Sequence, residues 1–140
     1  PYLQVGPLNE RGITRDVLRN KDIFWGDPQP LVFVNGCHTT ALEPEKALDL
    51  VSGFIQTSNA SGVIGTEITI FEPLACRFAE VCLEQFLAGI PIGEAVRRAR
   101  LELLQDGNPL GLVYIPFVIA SLVLQKAKKK GSVTNEKQSR

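Results

Sequence analysis

The chain has 140 residues, 44% hydrophobic and 21% charged, and its 15 basic and 15 acidic side chains balance to a formal charge of zero. This is ordinary globular composition, long enough to bury one core, so a single domain is expected. No run of about eighteen apolar residues exists to cross a bilayer, and the start lacks the basic-then-apolar pattern of a secretion signal, which together predict a cytoplasmic location and no membrane partner.

The chain opens Pro1-Tyr2-Leu3 and contains no methionine, so it reads as a fragment of a longer translation product. The first thirty residues are rich in Gly, Pro, Asn and Asp. They offer one helical candidate around Thr14 to Leu18 and the turn signal Gly26-Asp27-Pro28, and read as an approach loop. Leu31-Val32-Phe33-Val34 is short, continuously apolar and rich in β-branched residues, which predicts a strand buried on both faces of a parallel sheet. It stops at Asn35-Gly36-Cys37-His38. From Pro44, a good first helical residue, Ala47, Leu48, Val51 and Ile55 recur at helical spacing until Ser58-Asn59 and predict one amphipathic helix. Gly62-Val63-Ile64-Gly65-Thr66 reads as a second buried strand, with Glu67 at its end.

Leu74, Phe78, Val81, Cys82 and Phe86 form the stripe of a helix ending at Gly89, and Ile92, Val96, Ala99 and Leu103 form another. After the breaker Gly107-Asn108-Pro109, the run from Leu110 to Leu124 is apolar and β-branched. Pro116 within it predicts two short strands, or a strand and an edge piece. Residues 125–140 carry six basic side chains against Glu136 alone, leaving nine basic and fourteen acidic in residues 1–124. With no aromatic interleaved among Lys126, Lys128, Lys129 and Lys130, this stretch reads as a solvated tail or linker and argues against a nucleic-acid partner.

Strands alternating with helices predict an α/β fold, a sandwich with a mostly parallel sheet, occupying residues 1–124. Right-handed crossovers would put every strand's carboxyl end on one edge, where open α/β sheets bind their ligands. Chain order puts Cys37 and Glu67 both there.

Three cysteines without metal-ligand spacing read as free thiols of a reducing compartment, and no metal is expected. Cys76 and Cys82, at helical spacing among Leu74, Phe78 and Val81, read as small core hydrophobes. Cys37 differs. It follows a buried strand in a loop whose Gly36 frees backbone amides to meet a ligand. A thiolate there attacks a carbonyl while nearby N–H groups, its own included, stabilise the oxyanion. Leu31 to Thr40, an apolar strand and two small residues before Cys37-His38-Thr39, resembles the nucleophile turn of CHAT domains, the caspase relatives that include separase. The order continues through Gly62 to Glu67, Phe78-Ala79-Glu80, Phe86 to Gly89, Ile92 to Ala95, Arg100 and Asn108 to Tyr114, so the resemblance spans Leu31 to Phe117.

That resemblance implies the carboxyl-terminal half of a caspase-like α/β/α domain and cysteine-dependent cleavage of protein substrates, without metal or organic cofactor. It also implies a general-base histidine, followed by glycine, upstream of the cysteine. The one histidine present is His38. Neighbours in an extended segment point to opposite sides, so His38 is poorly placed to meet the Cys37 sulfur, and the base is expected on an amino-terminal part of the domain outside this chain. Asn35-Gly36 replaces the Ser-Ala often found before the cysteine, an exchange of small residues. Gly36 and Glu67 are the substrate-binding candidates; in caspase-like peptidases the neighbourhood of Glu67 helps to line the pocket for the residue before the cut, and a carboxylate there selects Arg or Lys. Arg97, Arg98 and Arg100, with Glu94 and Glu102, read as a solvated helix face with i,i+4 pairs. The alternative to a peptidase is an inactive domain of the same fold kept as a protein-binding scaffold. A nucleotide-binding module lacks support, because neither a Gly-Lys-Ser/Thr loop nor a Gly-x-Gly-x-x-Gly turn occurs. The expected neighbours are a sensor or regulatory domain, since CHAT domains are often governed by attached sensor modules.

Overall fold

Local chemistry explains where the helices begin and end in the computed structural model, which describes residue 3 and residues 12–20, 22–35 and 44–125, with side chains from residue 48 in the last stretch. Helix α1 (Arg15–Asn20) is capped by Thr14, whose Oγ1 accepts the Val17 N–H at 3.1 Å. Helix α3 (Glu72–Leu87) carries proline in its first turn, where a missing N–H does no harm. It stops at Gly89, whose φ of +90° is a left-handed conformation open to glycine at no steric cost. Helix α4 (Ile92–Gln105) follows, and its stripe of Ile92, Ala95, Val96, Ala99 and Leu103 packs with Leu74, Ala75, Phe78, Cys82 and Phe86 of α3 into one buried cluster.

Helix α2 (Pro44–Ser52) is shorter than the sequence predicts. Residues Gly53–Thr57 continue as a π-helical turn, closed by the Ser58 N–H on the Gly53 carbonyl at 3.1 Å. A Cβ on Gly53 would lie 3.2 Å from both Arg15 Cγ and Leu18 Cδ1, so glycine lets this turn seat closely on α1. The segment packs inward through Leu50 and Phe54, and Leu48, expected in the stripe, is 53% exposed.

Strands β1 (Leu31–Phe33), β2 (Gly62–Thr66) and β3 (Tyr114–Val118) form one sheet in that order. β1 and β2 run parallel, with Phe33 opposite Ile64. Alternation along each strand divides the side chains between two faces. Leu31, Phe33, Ile64, Tyr114 and Val118 meet α3 and α4. Val32, Val34, Val63 and Phe117 meet Leu18, Leu50 and Phe54 of α1, α2 and the π turn. Helices thus cover both faces, which is the α/β/α layering expected for part of a sandwich.

β3 runs antiparallel to β2, with Thr66 opposite Tyr114 and Gly62 opposite Val118. The chain leaves the carboxyl end of β2, crosses the sheet along α3 and recrosses it along α4, so the next strand starts from the edge it left. One helix would have given a parallel crossover; two give an antiparallel strand. The expectation that every strand's carboxyl end shares one edge therefore holds for β1 and β2, while β3 meets that edge with its amino end. Pro116 lies inside β3 rather than splitting the run. The Glu67 N–H donates to the Val113 carbonyl at 3.1 Å, which sets the ladder so that Gly65/Ile115 and Val63/Phe117 are the hydrogen-bonded pairs. Pro116 falls between them, its nitrogen turned away from β2, as an outer strand of the described sheet permits. Among the described residues no helix is long and apolar enough to cross a membrane.

Candidate active site

The parallel pairing of β1 and β2 delivers two chain exits side by side. Val34 extends the ladder, its N–H donating to the Ile64 carbonyl at 2.8 Å, and Asn35 follows. One strand over, Glu67 leaves β2 with its backbone tied to Val113 and its side chain exposed. Gly36, Cys37 and His38 lie outside the described residues, so the structure reports Val34 and Asn35, which lead toward Cys37, and Glu67 itself.

A polar cluster missed by the sequence reading occupies this edge. The Tyr114 hydroxyl donates to Asn35 Oδ1 at 2.6 Å, and Asn35 Nδ2 donates to the Ala75 carbonyl at 3.0 Å. Asn35 is thus more than a small residue tolerated before the cysteine. Tyr114 is wholly buried, its ring parallel to that of Phe78 at 3.6 Å between centroids. Arg100 Nη2 donates to the Tyr114 carbonyl at 2.5 Å. Arg100 is accordingly no part of the solvated face assigned to it; it wedges between α4 and β3. Its Nε, and Oγ1 of Thr66 across the ladder from Tyr114, are buried and make no hydrogen bond among the described residues. A signal for Tyr114 existed, since a tyrosine inside an apolar run usually brings its hydroxyl to a partner.

The two described cysteines separate cleanly. Cys82 is fully buried, and that burial pushes its thiol up to about 11, so it stays protonated and unreactive at neutral pH. Cys76 is exposed, contrary to the expectation of a core position. The inward stripe of α3 takes Leu74, Ala75, Phe78 and Cys82, and residue 76 is rotated off it.

Several charges of α3 and α4 pair on the surface. Glu94 receives Arg97 at 2.7 and 2.8 Å and Arg98 at 2.8 Å. The Arg97 hydrogen bonds, then that of Arg98, hold its carboxyl down at about 2. Arg77 bridges Glu80 at 3.1 Å and Glu102 at 2.7 Å. Among the described residues no cluster of His, Cys, Asp and Glu has the makings of a metal site. A cleft of about 380 Å³ lined by Pro30, Leu31, Ser61, Phe86 and Leu122 opens at the amino ends of β1 and β2, the opposite edge from Glu67.

What these elements define is part of a three-layer α/β domain with a polar cluster at the carboxyl edge of its parallel pair. No protein-family profile matches the chain. It is 57% identical, over 136 residues, to a segment of a probable protease from Vitiosangium sp. (strain GDMCC 1.1324), an alignment covering 94% of this chain. The chain spans 18% of that relative's length.

Proposed function

We propose that this chain is the carboxyl-terminal part of a caspase-like cysteine endopeptidase domain of the CHAT type, with Cys37 as nucleophile. The observation that carries the reading is the parallel β1/β2 pair, which brings Asn35, two residues before Cys37, and Glu67 to one edge of the sheet. The 57% identity to a protein named as a probable protease supports the peptidase part of that reading independently.

In this reading the Cys37 thiolate attacks the scissile carbonyl carbon, forming a C–S bond and an oxyanion held by backbone N–H groups, that of Cys37 among them. Collapse of the intermediate breaks the C–N bond, and the departing amine takes a proton from an imidazolium. Water, deprotonated by the same imidazole, then attacks the thioester, breaking the C–S bond and returning the thiolate. The imidazole comes from a histidine outside the 140 residues. Without one, a thiol with an ordinary pKa of about 8.5–9 is at most a few per cent ionised at neutral pH, so the isolated chain is expected to be inactive. Glu67 helps to choose the residue before the cut, favouring Arg or Lys.

The test is labelling of the full-length protein by a peptidyl acyloxymethyl ketone, which alkylates activated thiols, with and without Cys37→Ala. Labelling that disappears in the variant establishes the nucleophile. If the unsubstituted protein stays unlabelled under activating conditions, the peptidase reading falls and an inactive scaffold of the same fold takes its place.

A further inference from the structure

Asn35 stands at the exit of β1, and both ends of its amide are engaged within the protein. The Ala75 carbonyl is an acceptor only, so Nδ2 must face it; Oδ1 then faces Tyr114, whose hydroxyl must donate. These partners lie 40 and 79 positions along the chain, on the first turn of α3 and at the start of β3. One side chain therefore ties the end of β1 to two elements that approach the same edge from elsewhere. Tyr114 is a rigid anchor: Phe78 stacks on its ring with 1° between planes, Phe33 flanks it at 6.3 Å, and Arg100 holds its carbonyl.

We propose that Asn35 is a positioning residue, which, pinned between the Tyr114 hydroxyl and the Ala75 carbonyl, fixes the point from which the chain runs on to Cys37 and so aims the thiol at the substrate carbonyl. The inference rests on Cys37 being the nucleophile. Aim matters because a displacement of about 1 Å in a reacting group lowers a rate by roughly a hundredfold.

The experiment compares two reagents on the full-length protein and on Tyr114→Phe, Asn35→Ala and the double variant. A peptidyl acyloxymethyl ketone binds as a substrate does and demands an aimed thiol, whereas iodoacetamide demands only an accessible thiolate. Tyr114→Phe removes one oxygen and keeps the stacked ring, so the fold survives, which the thermal midpoint verifies. Each single variant is expected to label Cys37 about tenfold more slowly with the ketone, with the iodoacetamide rate within about twofold of the parent. The double variant is expected to be no slower than Asn35→Ala, because the two residues form one unit. An equal fall with both reagents, or losses that multiply, would reduce Asn35 to a stabilising contact and overturn the proposal. An unchanged ketone rate overturns it too, while leaving Cys37 as nucleophile. Absence of Cys37 labelling in the unsubstituted protein removes the nucleophile assignment and this inference with it.

Discussion

Alkaline pH is expected to weaken this fold through a single thiol. Cys82 is wholly buried among the side chains of α3, α4 and the sheet, and burial raises its pKa from the ordinary 9.0 to about 11. Between those values the folded chain keeps the thiol proton and the unfolded chain loses it. Fewer protons are then bound in the unfolded state, so stability falls as pH rises above 9.0, and the loss levels off only above about 11. At about 1.4 kcal/mol per pH unit the whole window is worth on the order of 2 to 3 kcal/mol, a large share of the roughly 5–15 kcal/mol that holds a domain together. Other groups titrate over the same range, so the measurement is a difference. Urea unfolding midpoints would be followed from about pH 8 to about pH 11 for the protein and for Cys82→Ala, whose small cavity costs on the order of 1 kcal/mol at every pH. The variant is expected to start less stable and to lose its disadvantage as pH rises. Parallel curves would refute the reasoning, because they would mean that Cys82 ionises as easily folded as unfolded.

Gly62 and Glu67 give two further tests. A Cβ on Gly62 would lie 2.5 Å from Val118 Cβ and 3.0 Å from the Phe117 carbonyl oxygen, so Gly62→Ala is expected to lower the unfolding free energy by about 1–3 kcal/mol. Val118→Ala should fail to restore it, because the clashing atom is the Cβ itself, whereas Val118→Gly should recover part; equal rescue by both would show that the strands simply spread. For Glu67→Gln, the ratio of cleavage of Arg to Leu peptides by the full-length protein is expected to fall about tenfold, the worth of one charge-assisted hydrogen bond. An unchanged ratio would remove Glu67 from the specificity pocket.

Helices α3 and α4 were legible because their stripes are strictly periodic and each ends in a glycine at positive φ, Gly89 or Gly107. The strands were legible as apolar β-branched runs, but the direction of β3 was misread. The stripes announced two helices between β2 and the next strand, but the reading of right-handed crossovers passed over what that count implies: two crossings return the chain to the edge it left, and β3 is antiparallel. Pro116 misled for a different reason: its harm depends on which side of the strand its nitrogen faces, and this is set by the partner strand. The π turn at Gly53–Thr57 was hidden because nothing in the spacing of Leu48, Val51 and Ile55 announces a six-residue hydrogen-bonded turn in place of a five-residue one.

The polar cluster failed to show itself in two different ways. Arg100 was recoverable, since it lies four residues after Val96 and three before Leu103, on the flank of the buried stripe, where a long side chain lies along the packed surface and carries its head to a carbonyl. Grouping it with Arg97 and Arg98 by composition overlooked that rotation. Asn35 was beyond recovery, because its role exists only once residues 75 and 114 are brought beside it. A short polar side chain at a strand end reads as turn chemistry in sequence; in the folded chain its amide closes a three-element junction. Local pattern therefore located the edge where chemistry is proposed, through Cys37 and Glu67. The residues that would give that edge a fixed geometry came into view only with the tertiary pairing of β1, α3 and β3.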